Sequence, residues 1–528
     1  MNIYFIGMCI SMAIYILVSY FVSRRIKSVD DYFVAGRRAP MLLISGSLVA
    51  SYIGTGMFMG DAQMYYEGVF SVLIIVNSMA SAGYIIGAVF FGRYLRRSKV
   101  TTIPEFFEKR FCSAHMRKLS SGIAVIVMTV YCVTVVKGIS TLMSAVTGVD
   151  PFICAVIAMS VFTLITVMAG SSGVLITDTM MATLFTVITL VCCILIAQKA
   201  GGWNDAVKTI VGTSGMEHYL SWEGQPGLIM NNGRDNMIWA LTNGIVWMSV
   251  TMVSPWQTSR YMMAKDENVV VRSSVPAAIG IFIINIVVGM TAMTVNVWHP
   301  ELSDTSRVLI WAAMNILPGV LGVLLLTGVL SAGISSATTF LSLIGTFVTN
   351  DLAGKKSKNP IRTGRIVMII ASLIVLLYNR FGPPGLFWIM YMGGTTICSA
   401  YMPVTMGSIL SKRLTKAGAY AGMLCGFVSC FGIQVAKAII GFSLPIWLDP
   451  SIIGFVFSVA GMVLVSAVTK VTPEETQARA RLFEIPENEK NPREVRKTLG
   501  WIRLSMASGV LMAVVLVLVW VVPYMSAK

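Results

Sequence analysis

Long apolar runs alternate with short polar stretches along the whole chain. Most runs reach the ~20 residues that a helix needs to cross the hydrocarbon core of a bilayer. Fourteen membrane-spanning helices are predicted, at 3–23, 40–67, 69–92, 119–144, 150–169, 173–198, 236–262, 270–297, 315–350, 362–379, 384–410, 417–441, 446–469 and 501–524. Residues 101–118 mix aromatic and charged side chains, as an amphipathic helix at a membrane interface does. Residues 201–236 carry Trp, Gly and both charge signs, and fit a cover over the outer face. Residues 470–500 are rich in Glu, Lys and Arg, and read as a surface helix with a loop.

Composition narrows the class. Apolar types make up 56% of the 528 residues and charged types 12%, about half the charged share of an ordinary soluble domain. A cytosolic enzyme, a nucleic-acid binder and a secreted disulfide scaffold are excluded. An all-α polytopic membrane protein remains, with the lipid bilayer as its solvent. The net charge of +16 then reads as basic cytoplasmic loops rather than affinity for nucleic acid. With the first span starting outside, 32 of the 40 Lys and Arg fall in inner loops, seven fall outside, and Lys137 lies within a span. This asymmetry predicts an even number of spans and both termini outside the cell membrane. The first apolar run precedes its basic cluster, the reverse of a cleavable signal, so it is expected to stay as a helix. Eight of nine Cys lie in apolar stretches and none forms a CxxC pair, so no metal cluster or disulfide framework is expected.

The chemistry gathers where helices are weakened. The second predicted span holds Ala50-Ser51-Tyr52-Ile53-Gly54-Thr55-Gly56 and then Gly60-Asp61, with three Gly in seven positions. The seventh holds Ser254-Pro255-Trp256-Gln257, where Pro removes a backbone donor. Lipid cannot satisfy an opened backbone, so such breaks belong beside a cavity. Two of them point to a midplane binding site; close helix packing is the other reading of the glycines. The ninth span holds Ser331-Ala332-Gly333-Ile334-Ser335-Ser336-Ala337-Thr338-Thr339. Its hydroxyls either bond back to their own helix or, with carbonyls from a second helix, surround a hard cation.

Several motifs occur in order: Asp31-Tyr32-Phe33-Val34-Ala35-Gly36-Arg37, Thr102-Ile103-Pro104-Glu105-Phe106-Phe107 with Lys109-Arg110-Phe111, Leu175-Ile176-Thr177-Asp178, Pro255 with Arg260 and Ala264-Lys265, and Ser331 to Asp351. On these residues the chain, from about Asp31 to Gly454, resembles the sodium/solute symporter family of the LeuT-like inverted-repeat fold. It departs at Met180 and Met181, where many relatives carry Gln. The resemblance implies a 5+5 core with two broken helices. Residues 1–39 would form the first helix and inner loop, 40–200 one five-helix repeat, 201–235 an outer loop, 236–411 the inverted repeat, and 412–528 peripheral helices with the inner loop 470–500. It also implies a sodium site built from the carbonyls of Ala50, Ile53 and Ala332 and the hydroxyls of Ser335 and Ser336. Asp178 would help sodium leave to the cytoplasm; read from the residues alone, it equally suits a helix N-cap beside Thr177.

Lys137 lies deep in the fourth predicted span, at a position that in sugar-transporting relatives faces the solute. An intramembrane Lys costs ~3 kcal/mol or more unless paired or wet. It is expected to meet an anionic solute, to pair with Asp61, or to stand in for a second sodium. Tyr52, Thr55, Asn77, Trp247, Thr251, Ser254 and Trp256 are further candidate solute contacts, each also open to a packing role. The expected function is sodium-coupled import of a small organic solute, a carboxylate or amino acid, by alternating access, with Na+ as coupling ion and no cofactor or covalent chemistry. The alternative is a quaternary ammonium such as choline, held by aromatic rings; Lys137 argues against a second cation. No feature specifies an oligomeric state.

Overall fold

The computed structural model describes residues 3–24, 34–353, 359–381, 386–442 and 444–528. Asp31 to Phe33 of the first motif, and inner-loop charges at Arg25, Lys27, Lys355, Lys356 and Lys358, lie outside that set. Among the described residues the secondary structure is helical, with one isolated backbone bridge between Ala39 and Ala264. Twelve helices are long and apolar enough to cross a membrane, thirteen when one bent pair counts as a single span. A further helix, Leu386–Leu410, has the length of a span. It buries Thr395, Thr396, Ser399, Thr405 and Ser408, so it is more polar than its neighbours. Of the fourteen spans expected, twelve to thirteen have the length and hydropathy of a span among the described residues, and Leu386–Leu410 has the length alone.

The elements needed below are α1 (Ile3–Ser23), α2 (Met41–Tyr52), α3 (Gly56–Tyr66), α4 (Phe70–Arg97), α5 (Ile103–Phe111) and α6 (Ala114–Thr147). Next come α7 (Pro151–Lys199), α8 (Trp203–Val211), α9 (Gly233–Val253), α10 (Pro255–Met263) and α11 (Glu267–Thr294). Then follow α12 (Gly319–Phe347), α13 (Leu386–Leu410), α14 (Pro473–Arg481) and α15 (Pro492–Ala527). The spans expected at 150–169 and 173–198 are two apolar halves, Pro151–Met168 and Val174–Lys199, of the one helical element α7.

Both expected breaks occur. The α2–α3 pair is bent by 47°. Ile53 at the end of α2 is extended, at φ −73° and ψ 104°. Between α9 and α10, Ser254 alone is extended, at φ −62° and ψ 142°. The ring of Pro255 excludes the helical conformation from the residue before it, and Pro at the first helical position loses no hydrogen bond. So the first break opens two residues, Ile53 and Gly54, and the second only one.

Helix α12 forms the axis of the bundle. Every residue from Leu325 to Phe347 is buried, as befits a helix that is apolar on all sides. At the other extreme, α15 turns most of its surface outward, with Val510, Leu511, Leu518 and Met525 among its exposed side chains. The expected interfacial helix is α5, capped by Thr102, whose hydroxyl accepts from the Glu105 N–H at 3.2 Å. Its buried Arg110 donates to the Ser408 and Glu475 carbonyls, at 2.6 and 3.2 Å, closing the end of α13. The loop expected at 470–500 is shorter, because the last helix begins at Pro492. Arg272 pairs with Glu494 at 2.7 Å and Thr498 donates to Asn268 at 2.8 Å, tying that extension to α11.

Helices α4 and α9 approach closely at Gly83. A Cβ there would lie 2.3 Å from the Met248 carbonyl oxygen, while one at Gly122 would meet nothing within 4 Å. Overpacking of this kind costs about 1–3 kcal/mol. Gly83→Ala should therefore lower the melting temperature of the detergent-solubilised protein, and Gly122→Ala should leave it unchanged.

Candidate solute and ion site

The opened backbone of α2 lies against the middle of α12. A Cβ on Gly54 would come within 3.1 Å of Ser336 Oγ, and one on Gly333 within 3.0 Å of Thr55 Cγ2. Both contacts are tight, so a side chain at either Gly would push the two helices apart by a few tenths of an ångström. At the break, the Ile53 N–H still bonds Val49 at 3.0 Å, and the next backbone bond is Phe58 to Gly54 at 3.3 Å. Among the described residues, no backbone N–H bonds the carbonyls of Ala50 or Ile53. Two carbonyl oxygens are thus available beside a serine hydroxyl. Ser336 Oγ donates to the Ala332 carbonyl at 3.1 Å, a bond back to its own helix of the kind the sequence also allowed.

Next to this contact is a cavity of about 80 Å³. Ser51, Tyr52, Gly54 and Asp61 from the first broken helix line it. So do Asn77 of α4, Tyr131 and Thr134 of α6, Trp247 and Thr251 of α9, Trp256 and Gln257 of α10, and Ser336 and Phe340 of α12. Tyr131, Trp256 and Phe340 form one aromatic cluster, with centroid separations of 4.7 to 5.6 Å. Tyr131 fits because Gly393 and Gly394 of α13 leave room for its ring. Tyr52 donates to Asn77 Oδ1 at 3.0 Å, which turns the Asn77 amide nitrogen towards Asp61, 3.2 Å away. Gln257 accepts from Ser51 Oγ and so joins the two broken helices.

On the far side of Ser335 stands a buried charge pair. Asp178, fully buried in α7, accepts from Ser47 Oγ at 2.7 Å, Ser335 Oγ at 2.6 Å and Arg260 Nη2 at 2.9 Å. Arg260 also donates to Ser47 Oγ at 3.0 Å, to Thr339 Oγ1 at 2.8 Å and to the Trp256 carbonyl. Four helices, α2, α7, α10 and α12, therefore meet at one ion pair. Asp178 lies mid-helix, so the N-cap reading is set aside. Arg260, counted with the inner-loop charges on sequence, is 2% exposed inside the span.

A family model described as "Sodium:solute symporter family" matches residues 32–426. The chain belongs to the sodium:solute symporter family. Its coarse activity is sodium-coupled solute transport by a multi-pass membrane protein, and members are secondary transporters, not enzymes. The chain is 22% identical over 488 residues to the sodium/proline symporter of Escherichia coli (strain K12), covering 88% of this chain and 93% of that protein. It is 24% identical over 387 residues to the sodium/sialic acid symporter of Aliivibrio fischeri, covering 69% and 73%. Its fold matches a solved Na+-coupled sialic acid symporter in a substrate-bound outward-open state, with TM-score 0.74, 20% identity, and coverage of 90% of this chain and 99% of that one. The fold is accordingly the LeuT-like 5+5 inverted repeat with two broken helices.

Within this symporter, the sequence-derived residues separate into groups. Ala50, Ile53, Ala332 and Ser336 belong to the break and the α12 wall. Ser335, one position before Ser336, faces Asp178. Tyr52, Asn77, Trp247, Thr251 and Trp256 line the cavity. Thr55 and Ser254 do not: both are fully buried, Thr55 against the Val135 carbonyl at 3.4 Å and Ser254 in the break itself. Lys137 does not line the cavity either, which departs from the expectation that it faces the solute. Tyr131, Thr134 and Val135 hold that face of α6, and Lys137 is turned about 120° from Tyr131 around the helix. Among the described residues no ion pair joins Lys137 to Asp61. Arg260, Gln257, Ser51, Tyr131 and Thr134 were not singled out as site residues. Their signal was available: a charge, an amide and hydroxyls inside apolar spans.

Removing one partner of a buried ion pair leaves an uncompensated charge and costs about 3–5 kcal/mol. Arg260→Ala should therefore lower the melting temperature sharply, and Arg260→Ala combined with Asp178→Asn should recover part of the loss. Equal melting of the single and double variants would contradict the pairing.

Proposed function

We propose that the protein imports a small amino acid by sodium symport, with sodium held between α2 and α12 and the solute in the adjoining cavity. One observation carries the reading: Ser336 belongs to both places. It stands 3.1 Å from the position of a Cβ on Gly54, and it also lines the cavity. An ion drawing on this hydroxyl fixes a wall of the solute site.

The ligands would be the carbonyls of Ala50, Ile53 and Ala332 and the hydroxyls of Ser335 and Ser336. Five neutral oxygens suit a hard monovalent cation, which gains coordination without added charge. Both hydroxyls already donate their protons, Ser335 to Asp178 and Ser336 to Ala332. A hydroxyl that donates keeps its lone pairs for a cation. Asp178 bonds Ser335 and Arg260 together, so a small movement of α10 would free an anionic ligand for the departing ion. The loop charges support an outside N-terminus, with Asp178 towards the cytoplasmic half.

The solute assignment rests on chemistry and kinship. The Gln257 amide lines the cavity and, beyond its bond to the Ser51 carbonyl, has a second N–H to donate to a carboxylate. Tyr131 Oη is buried without a hydrogen-bond partner among the described residues, a donor waiting for an acceptor. Several relatives are named for proline, in Escherichia coli, Salmonella typhimurium, Haemophilus influenzae and Bacillus subtilis. Lys137 stands outside the cavity, so the solute's carboxylate is assigned to these neutral donors and the bound sodium.

Proteoliposomes with an inward sodium gradient test this reading. Labelled proline should accumulate against its own gradient, and collapse of the sodium gradient should abolish accumulation. Loss of a neutral ligand to a charge is worth about 1.5–3 kcal/mol. Ser336→Ala should thus raise the sodium concentration for half-maximal uptake at least about tenfold and weaken solute affinity as well. Sodium dependence unchanged by Ser335→Ala and Ser336→Ala would remove both hydroxyls from the ion site.

A further inference from the structure

We propose that Asp61 is the specificity-determining counter-charge of the cavity, and that it receives the cationic nitrogen of the solute. The inference rests on the preceding reading of that cavity as the solute site.

Asp61 ends the wide π-type turn Gly56–Asp61 just after the first break, a local form frequent at functional positions. It is 7% exposed and lines the cavity. Its hydrogen-bond partner among the described residues is the Asn77 amide, on Oδ2 at 3.2 Å. Among the described residues, no Lys or Arg lies within ion-pair distance of it. The contrast with the other two buried span carboxylates is direct: Asp178 has Arg260 at 2.9 Å, and Asp351 has Arg117 at 2.7 Å. A carboxylate at membrane depth is costly unless a cation meets it. Among the described residues, Asp61 alone of these three lacks that cation, and a cavity opens beside it.

The surroundings suit a cation delivered by the solute. Asn77 is locked by Tyr52 on its oxygen and shares its nitrogen between Asp61 and Tyr65, 3.2 Å away. Its single donation fixes one oxygen of Asp61 and leaves the other for a ligand. The aromatic residues Tyr52, Tyr131, Trp247 and Trp256 line the same space, and aromatic rings attract a cation held over their faces. The shared chemistry is a positively charged nitrogen, in an amino acid's ammonium or a quaternary ammonium. It gives the carboxylate a partner and disfavours sugars and simple organic acids, which would leave Asp61 alone.

The test is ligand-induced thermal stabilisation of the full-length purified protein, wild type and Asp61→Asn, in sodium and in sodium-free buffer. Asp61→Glu keeps the charge and serves if the Asn variant does not fold. The probes are proline, choline and tetrahydrofuran-2-carboxylate, which matches proline but has oxygen in place of nitrogen. Proline should stabilise the wild type in sodium, and Asp61→Asn should weaken it about thirtyfold or more. The shift caused by sodium alone should be the same in both proteins, and tetrahydrofuran-2-carboxylate should bind neither. Choline binding in place of proline, lost in Asp61→Asn, would support the counter-charge and defeat the amino-acid reading. The counter-charge is overturned if proline and choline both fail to bind the wild type, if Asp61→Asn keeps wild-type affinity, or if it weakens the shift from sodium alone. Absence of any sodium effect in the wild type would instead defeat the symport reading.

Discussion

A backbone opened inside a bilayer must find partners within the protein, because lipid offers none. That constraint sets the centre of this molecule. The opened residues between α2 and α3 are tolerable because α12 presses Ser336 against Gly54 and because a cavity with polar groups in a largely apolar wall lies alongside. The same exposed oxygens that would be a fault in an ordinary span are what a dehydrated cation needs. Structure and proposed transport thus share one cause: the break that needs covering is the break that can hold an ion.

The surroundings make this local feature consequential. Helix α12 is buried from Leu325 to Phe347 and touches both the break and, through Ser335, the Asp178–Arg260 pair. Arg260 sits on α10, the helix that starts at the second break. The two breaks are linked again by Ser51 and Gln257 across the cavity. Any shift of α2 against α12 is therefore felt at α10 through two short paths. A ligand that prefers one arrangement biases the other site by the difference in its affinities, and no more than that.

Much of this was legible in the chain. Span-length apolar runs and the loop charges gave the polytopic class, and clustered Gly and Ser254-Pro255 gave both breaks, because each rests on local chemistry. The depth of Lys137 left three roles open, facing the solute among them. Its helix presents Tyr131 and Thr134 to the cavity instead, and one-dimensional depth does not encode direction around a helix. Arg260 was hidden for the opposite reason. It lies near a basic loop and looked like part of it, yet its partner Asp178 is 82 residues away in sequence. Asp61 was noticed only as a partner for Lys137; its isolation from every described cation is a property of the folded arrangement. The start of the last helix at Pro492 is marked by the Asn491 cap and the Pro that follows it, a local signal that hydropathy does not register.

The central claim is that one hydroxyl serves two neighbouring sites, so that ion and solute assist each other. Equilibrium binding of labelled proline to the purified wild-type protein across a sodium series, matched with sodium affinity measured across a proline series, tests it directly. Binding linkage must be reciprocal. The account predicts that saturating sodium tightens proline binding and that saturating proline tightens sodium binding by the same factor, about five- to 150-fold. Proline binding that is tight and indifferent to sodium would contradict it.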